Sequence, residues 1–230
     1  MTPARLLLIE SSGQAGFVAV AQDERLLAVR RLDEARRHAR DLAPAVADLL
    51  AERGWRPADI SAVLVGRGPG SYTGLRVGIM SAKTFAYATG CALVTLDTFA
   101  VIAAQAPAEA TPLAVLADAQ QDKVYVQEFE RTAAGIAALG PLTIEALTAW
   151  AESHTGPLWV SGPGLRKWAA SLPATLHVVD SAWWDPRPET LLGLGLVRFR
   201  GGARDDVWAA EPLYLRPSAA EEQWDKRKQQ

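Results

Sequence analysis

The chain has 230 residues, 49% of them hydrophobic, enough to bury the core of one large domain or of two small lobes. Its 24 basic and 26 acidic side chains nearly cancel, which excludes a long-range field able to hold a polyanion unaided, and its single cysteine, Cys91, excludes an internal disulfide and any cysteine-rich zinc site. The apolar run at residues 6–9 is too short for a signal peptide and no segment approaches the length of a membrane span, so a cytoplasmic location is expected.

Residues 6–10, 17–22 and 25–32 predict three short strands, separated by Ser11, Ser12, Gly13 and Gln14 and by a polar turn at Asp23 and Glu24, in an antiparallel meander. Over 38–53, Leu42, Val46, Leu49 and Leu50 recur at helical spacing, with Gly54 placed to stop the helix and Pro44 predicting a late start or a kink. A buried strand at 61–66, a helix at 74–89 ended by Gly90, a strand at 93–96 and a helix at 97–105 capped by Asp97 follow. The order is βββαβα with one further βα pair, the alternation that ribonuclease H-like lobes of the actin-like superfamily use.

The segment Gly66-Arg67-Gly68-Pro69-Gly70-Ser71-Tyr72-Thr73-Gly74-Leu75-Arg76-Val77-Gly78 joins a strand to a helix, where backbone N–H groups and the helix dipole can receive an anion. It fits no nucleotide loop: no lysine follows its last glycine as a Walker A loop requires, and the third glycine is one residue late for a dinucleotide fingerprint. Ser71 is the one attractive nucleophile, yet no Gly-x-Ser-x-Gly elbow surrounds it, and Ser71 and Thr73 are expected to cap the helix instead. His38, His154 and His177 fall in different segments, so no pair stands at metal-ligand spacing.

On the 74–89 helix, Gly74, Leu75, Val77, Gly78, Ile79, Ala82, Phe85, Ala86 and Ala88 form an apolar arc far wider than the roughly 100° stripe one sheet face needs. Arg76, Lys83 and Tyr87 mark the polar side, with Met80 beside them. The surplus has to be covered, and Gly74, Gly78 and Ala82 at i+4 spacing permit another helix axis to come close, either the first helix of the same lobe or a helix of a partner. A homodimer or a heterodimer satisfies that geometry equally.

Residues 107–112, with prolines at both ends, form the linker that divides an N-terminal lobe, 1–106, from a C-terminal lobe, 107–217, ahead of a charged tail, 218–230. The second half predicts strands at 113–116 and 123–130, a helix at 144–152, a strand at 158–161 and helices at 164–172 and 190–200. Trp150, Trp159, Trp168, Trp183 and Trp184 concentrate there, as core filling or, at Trp183 and Trp184, as a contact point for a further subunit.

The glycine-rich segment, Leu8 to Ser12, His38, Asp118 with Val124 and Tyr125, and Glu211 to Arg216 resemble, in order and spacing, the TsaB family, the dimerization subunits of the bacterial machinery for threonylcarbamoyladenosine in tRNA. The resemblance implies two ribonuclease H-like lobes of the actin-like superfamily, the second smaller and degenerate, and a non-catalytic scaffold without a cofactor. It implies pairing with a catalytic threonylcarbamoyltransferase paralogue that modifies the adenosine beside the anticodon, with a small P-loop ATPase in the same pathway, a homodimer as a further state, and tRNA met only within the assembly. The interface it implies comprises His38, Leu42 and Val46 on the first helix and Gly70, Ser71, Tyr72, Thr73, Gly74, Arg76, Gly78, Ile79 and Ala82 on the loop and second helix. Members usually carry Asp at the end of the first strand, where it coordinates the metal of a bound nucleotide; here Glu10 stands, its carboxylate displaced by about one bond length, ~1.5 Å. Glu10 and Asp118 are the candidates for a vestigial nucleotide site between lobes or subunits, or else they bond turn backbone at strand ends. The rivals are a kinase of the same superfamily, a hydrolase acting through Ser71, and a homodimeric regulator outside the tRNA pathway.

Overall fold

Strand β1 (Arg5–Glu10) alternates with a period of two, sending Leu6 and Leu8 to one side of the first sheet and Leu7 and Ile9 to the other, all fully buried. The computed structural model describes residues 3–32 and 38–215. β1 pairs antiparallel with β2 (Phe17–Gln22) and parallel with β4 (Ala62–Gly66); β3 (Arg25–Arg31) flanks β2 and β5 (Ala92–Leu96) flanks β4. The resulting order is β3-β2-β1-β4-β5. Helices α1 (His38–Glu52) and α2 (Tyr72–Thr89) cover the face that carries Leu7, Ile9, Val18, Val63 and Val65.

In the second sheet, β6 (Leu113–Asp118) pairs antiparallel with β7 (Lys123–Thr132) and parallel with β10 (Leu158–Ser161), which pairs with β11 (Leu176–Val178). β8 (Gly135–Ala138) and β9 (Thr143–Ala146) both pair with β7. α4 (Leu147–Ser153) and α5 (Leu165–Trp168) bury Trp150 and Leu165 on one face. The molecule is thus a two-lobed α/β protein of the ribonuclease H-like type.

The two remaining helices cross over. α3 (Thr98–Gln105), which follows the first sheet in sequence, sets Phe99, Ile102 and Ala103 against Leu113, Val115 and Phe129 of the second. α6 (Pro188–Arg200), which follows the second sheet, sets Leu191, Leu192 and Leu196 against Leu6, Leu8, Phe17 and Leu64 of the first. A Cβ at position 195 of α6 would stand 2.6 Å from a Leu64 methyl, so a larger residue there would have to displace Leu64 or the helix. The helix at 188–200, placed by chain order within a 107–217 lobe, therefore packs on the first sheet.

Several elements differ from expectation. The 144–152 segment divides into β9 and α4 rather than forming one helix, and 164–172 ends in a 3-10 turn, Ala169–Ser171. α2 begins at Tyr72, two residues early, because Ser71 supplies the cap, while Thr73 lies inside the first turn. Asp97 makes no side-chain cap; its carboxylate accepts from Arg67 Nε at 2.6 Å. α1 runs through Pro44. Trp183 and Trp184 are half-buried in the cores on opposite faces of the second sheet, not an exposed contact point. The tail at 218–230 lies outside the described residues.

Beyond α6 the chain returns over the first lobe as an irregular strap, residues 203–215. Asp205 anchors it, accepting from the Thr95 N–H at 2.6 Å and the Thr95 hydroxyl at 2.9 Å. Asp205→Ala leaves the buried Thr95 donors unpaired and should cost about 1–3 kcal/mol, measured as a lower denaturant midpoint at unchanged slope.

Candidate functional site

The glycine-rich loop is held against the turn after β1 by a closed ring of hydrogen bonds. Glu10 Oε1 accepts from the Ser12 N–H at 2.7 Å and Oε2 from the Thr98 hydroxyl at 3.3 Å. Thr98 Oγ1 accepts from the Gly68 N–H at 3.2 Å, and the Thr98 N–H donates to the Gly68 carbonyl at 2.8 Å. The Ser71 N–H returns to the Ser12 carbonyl at 2.6 Å, and the Ser11 hydroxyl donates to the Gly74 carbonyl at 2.8 Å.

Space in this ring is as specific as its bonding. A Cβ at position 66 would overlap Glu10 Oε2, and one at 70 or 74 would overlap the Ser12 or Ser11 carbonyl oxygen. Glu10 itself is 1% exposed. Burial pushes its carboxyl above the usual carboxylate range, outweighing the lowering by its bonds from Ser12 and Thr98.

Most of the apolar arc of α2 is covered inside the chain, with Val77 and Phe85 half-buried and Ala88 exposed. Gly74, Leu75, Gly78, Ile79, Ala82 and Ala86 are all buried, and a Cβ at Gly78 would overlap Ser11 Oγ with Ile9 Cγ2 3.6 Å away. Gly74, Gly78, Ile79 and Ala82, expected to receive a partner's helix, are thereby covered within the chain itself: Gly74 and Gly78 abut Ser11, and Ile79 and Ala82 belong to the buried core on that face of the sheet. Leu42 of α1 is buried too, while Gly70 and Val46 are half-buried. His38 opens α1.

What α2 does present outward is a stripe that runs along Arg76, Met80 and Tyr87, as sequence patterning expects, and also takes in Ala88 from the end of the apolar arc, while Lys83 is half-buried. Thr73, Arg76, Met80, Thr84, Tyr87 and Ala88 are exposed, Met80 at 57% and Tyr87 at 68%. The strap extends this stripe on one edge. Trp208, 72% exposed, meets Tyr87 edge-on at 5.4 Å, and Lys83 Nζ fixes the strap backbone by donating to the Ala210 carbonyl at 2.9 Å and the Trp208 carbonyl at 3.3 Å. At the other end Tyr214 lies 4.8 Å from Tyr72, with the Arg76 guanidinium 4.3 Å above Tyr72 and its Nε donating to the Tyr214 hydroxyl at 3.2 Å. Burial raises the Tyr214 phenol pKa, and the Arg76 bond opposes it. Met80, Trp208 and Tyr214 were missed from sequence; a methionine within the polar stripe of an amphipathic helix was the available signal.

The other sequence candidates are not brought into this surface. Asp118 is exposed and accepts from the Gln120 N–H at 2.9 Å, with Lys167 Nζ at 3.5 Å, so it shares no partner with Glu10. His154 is engaged at both ring nitrogens, by the Trp150 carbonyl at 2.7 Å and Glu128 Oε1 at 2.8 Å, whereas His177 lies beside Trp159. Ser71 Oγ accepts from the Gly74 N–H at 3.3 Å, the capping role. Among the described residues no group of three His, Cys, Asp or Glu side chains is placed to hold a metal ion, and no helix is long and apolar enough to cross a membrane.

Comparison with known proteins gives a consistent set. Residues 32–157 match the family model of TsaD, tRNA N6-adenosine threonylcarbamoyltransferase. The tRNA threonylcarbamoyladenosine biosynthesis protein TsaB of Escherichia coli is 31% identical, over 94% of this chain and 96% of the relative. The protein of the same name from Bacillus subtilis is 25% identical over 95% and 97%. Among solved structures, YeaZ from Pseudomonas aeruginosa superposes with a TM-score of 0.74 at 26% identity, over 92% of this chain and 100% of that one.

Proposed function

Because the chain belongs to the TsaB family, whose characterised members are tRNA threonylcarbamoyladenosine biosynthesis proteins, we propose that it is the non-catalytic subunit that pairs with the threonylcarbamoyltransferase of that pathway and activates it. The observation that carries this reading is the outward stripe of α2. It offers a large exposed thioether and two exposed aromatic rings, Tyr87 on the helix and Trp208 on the strap fastened to it, which suits protein contact rather than chemistry.

The match to the transferase's own family model spans 32–157 and so includes α1 and α2. A paralogue therefore carries a related helix pair, and two related faces meeting about a pseudo-two-fold axis make a natural heterodimer. Of the interface residues expected from sequence, Ser71, Thr73 and Arg76 are exposed and Val46, Gly70 and Tyr72 half-exposed, and Met80, Tyr87 and Trp208 join them. The transferase supplies the chemistry, the small P-loop ATPase completes the set, and tRNA is engaged by the assembly, in keeping with this chain's near-neutral charge. Cytoplasmic residence follows from that role.

Mixing the chain with the transferase paralogue of the same genome and measuring mass by light scattering tests the proposal. A complex containing equal numbers of both chains is expected, together with tRNA modification that depends on this chain. Two separate species at micromolar concentration, or modification at full rate without this chain, would overturn it.

A further inference from the structure

The fold family implies a nucleotide with its metal at the end of β1, so the residues there have to be tested against that group. They do not fit it. Glu10 turns inward, both of its oxygens are engaged within the chain, and the nearest backbone, at Gly66, is glycine only because the Glu10 carboxyl fills the space of a side chain. A metal-bound phosphate needs carboxylate or hydroxyl oxygens directed into an open site. No such group of acids is assembled among the described residues.

We infer that Glu10 is a built-in ligand: its carboxyl occupies the strand-end position itself and clamps the 66–74 loop, so that the N-terminal turn of α2 is set without nucleotide. The inference does not depend on which partner α2 meets. It follows from the closed ring. Removing the carboxyl unties the Ser12 N–H and the Thr98 hydroxyl together, and Thr98 is the side chain that holds the Gly68 N–H. The Ser12 turn and Gly68 are the two points from which the loop runs to the Ser71 cap and α2.

Conservative replacements separate this positioning role from ordinary core filling. Gln keeps the length and one acceptor oxygen, enough for the Ser12 N–H, while its amide NH2 can meet Thr98 only as a donor, so near pH 5 Glu10→Gln should melt closer to the parent than Glu10→Asp does. Glu10→Asp keeps the acid but falls one methylene short of bridging Ser12 and Thr98, and should melt at least about 5 °C lower. The pH profile provides a readout that filling alone would not move. A carboxyl whose pKa is raised on folding contributes stability that is complete below about pH 4.5 and is lost as the pH rises through the folded value. The parent should therefore lose stability relative to Glu10→Gln as the pH climbs above about 4.5.

Titrating the parent chain with magnesium ATP by calorimetry is the second measurement, and no saturable heat is expected. Three results would overturn the inference: Glu10→Asp as stable as the parent, parallel pH profiles for the parent and Glu10→Gln, or magnesium ATP binding that Glu10→Gln abolishes.

Discussion

Gly78→Leu should lower the stability of the isolated chain by about 3 kcal/mol, a fall in Tm of roughly 6–12 °C, whether or not a partner is present. The position lies on α2 where the helix backbone passes directly over the turn after β1. A Cβ there already overlaps the Ser11 hydroxyl, and that hydroxyl is fully buried and bonded to the Gly74 carbonyl. Four added carbons have nowhere to go except by lifting α2 from the sheet, which would also open the core that Ile79 and Ala82 share with Ile9 and Val65. Differential scanning calorimetry checks the shift. A variant that melts with the parent would mean that α2 can move away from β1 freely, and the intramolecular assignment of its glycines would fail. Gly78→Ala is the milder companion and should fall in the same direction by a smaller amount.

Met80→Asp should do the opposite: leave the isolated chain within about 0.5–1 kcal/mol of its original stability and weaken the complex with the transferase at least about 100-fold. Met80 is more than half exposed in the free chain, so its replacement disturbs little of the core. In the complex it would be covered, and a carboxylate placed there has to be stripped of water without a partner. Val197→Asp is the control, on the far face of the same sheet and 73% exposed, and should bind as the parent does. Calorimetric titration with the transferase separates the outcomes. Equal losses for both variants would point to a general effect of added negative charge, and full binding by Met80→Asp would remove the α2 stripe from the interface.

The first sheet was legible in the sequence because each of its strands lies between strong punctuation and its helices show a 3.6-residue period uninterrupted by other demands. The short strands β8, β9 and β11 were not. At four residues or fewer they carry too little alternation to distinguish from turns, and β9 passes directly into α4, so its Ile144 reads equally well as the start of a helical stripe. Sequence period also finds an apolar arc without telling what covers it. On α2 two of the small residues that suggested a second helix, Gly74 and Gly78, are small because the chain's own turn at Ser11 presses on them, and the strap that shields another edge, through Val207 and Ala210, lies more than 115 residues further along. Glu10 was legible as a departure from the acid that the resemblance implies at the end of the first strand. That its carboxyl is spent on the loop beside it follows only from the ring that Thr98 closes.

The crossing of α3 and α6 bears on how the chain is made. When a ribosome has released the first 106 residues, the first sheet has all five strands and its α1–α2 layer, but its other face, with Leu6, Leu8, Phe17 and Leu64, has no cover. That cover is α6, which leaves the exit tunnel about ninety residues later, while α3 waits in turn for the second sheet on which to lay Phe99 and Ile102. Neither half can finish its own core, so a fragment cut at the linker should be sticky rather than a stable lobe, and the nascent first half should keep an apolar face uncovered until α6 has left the tunnel.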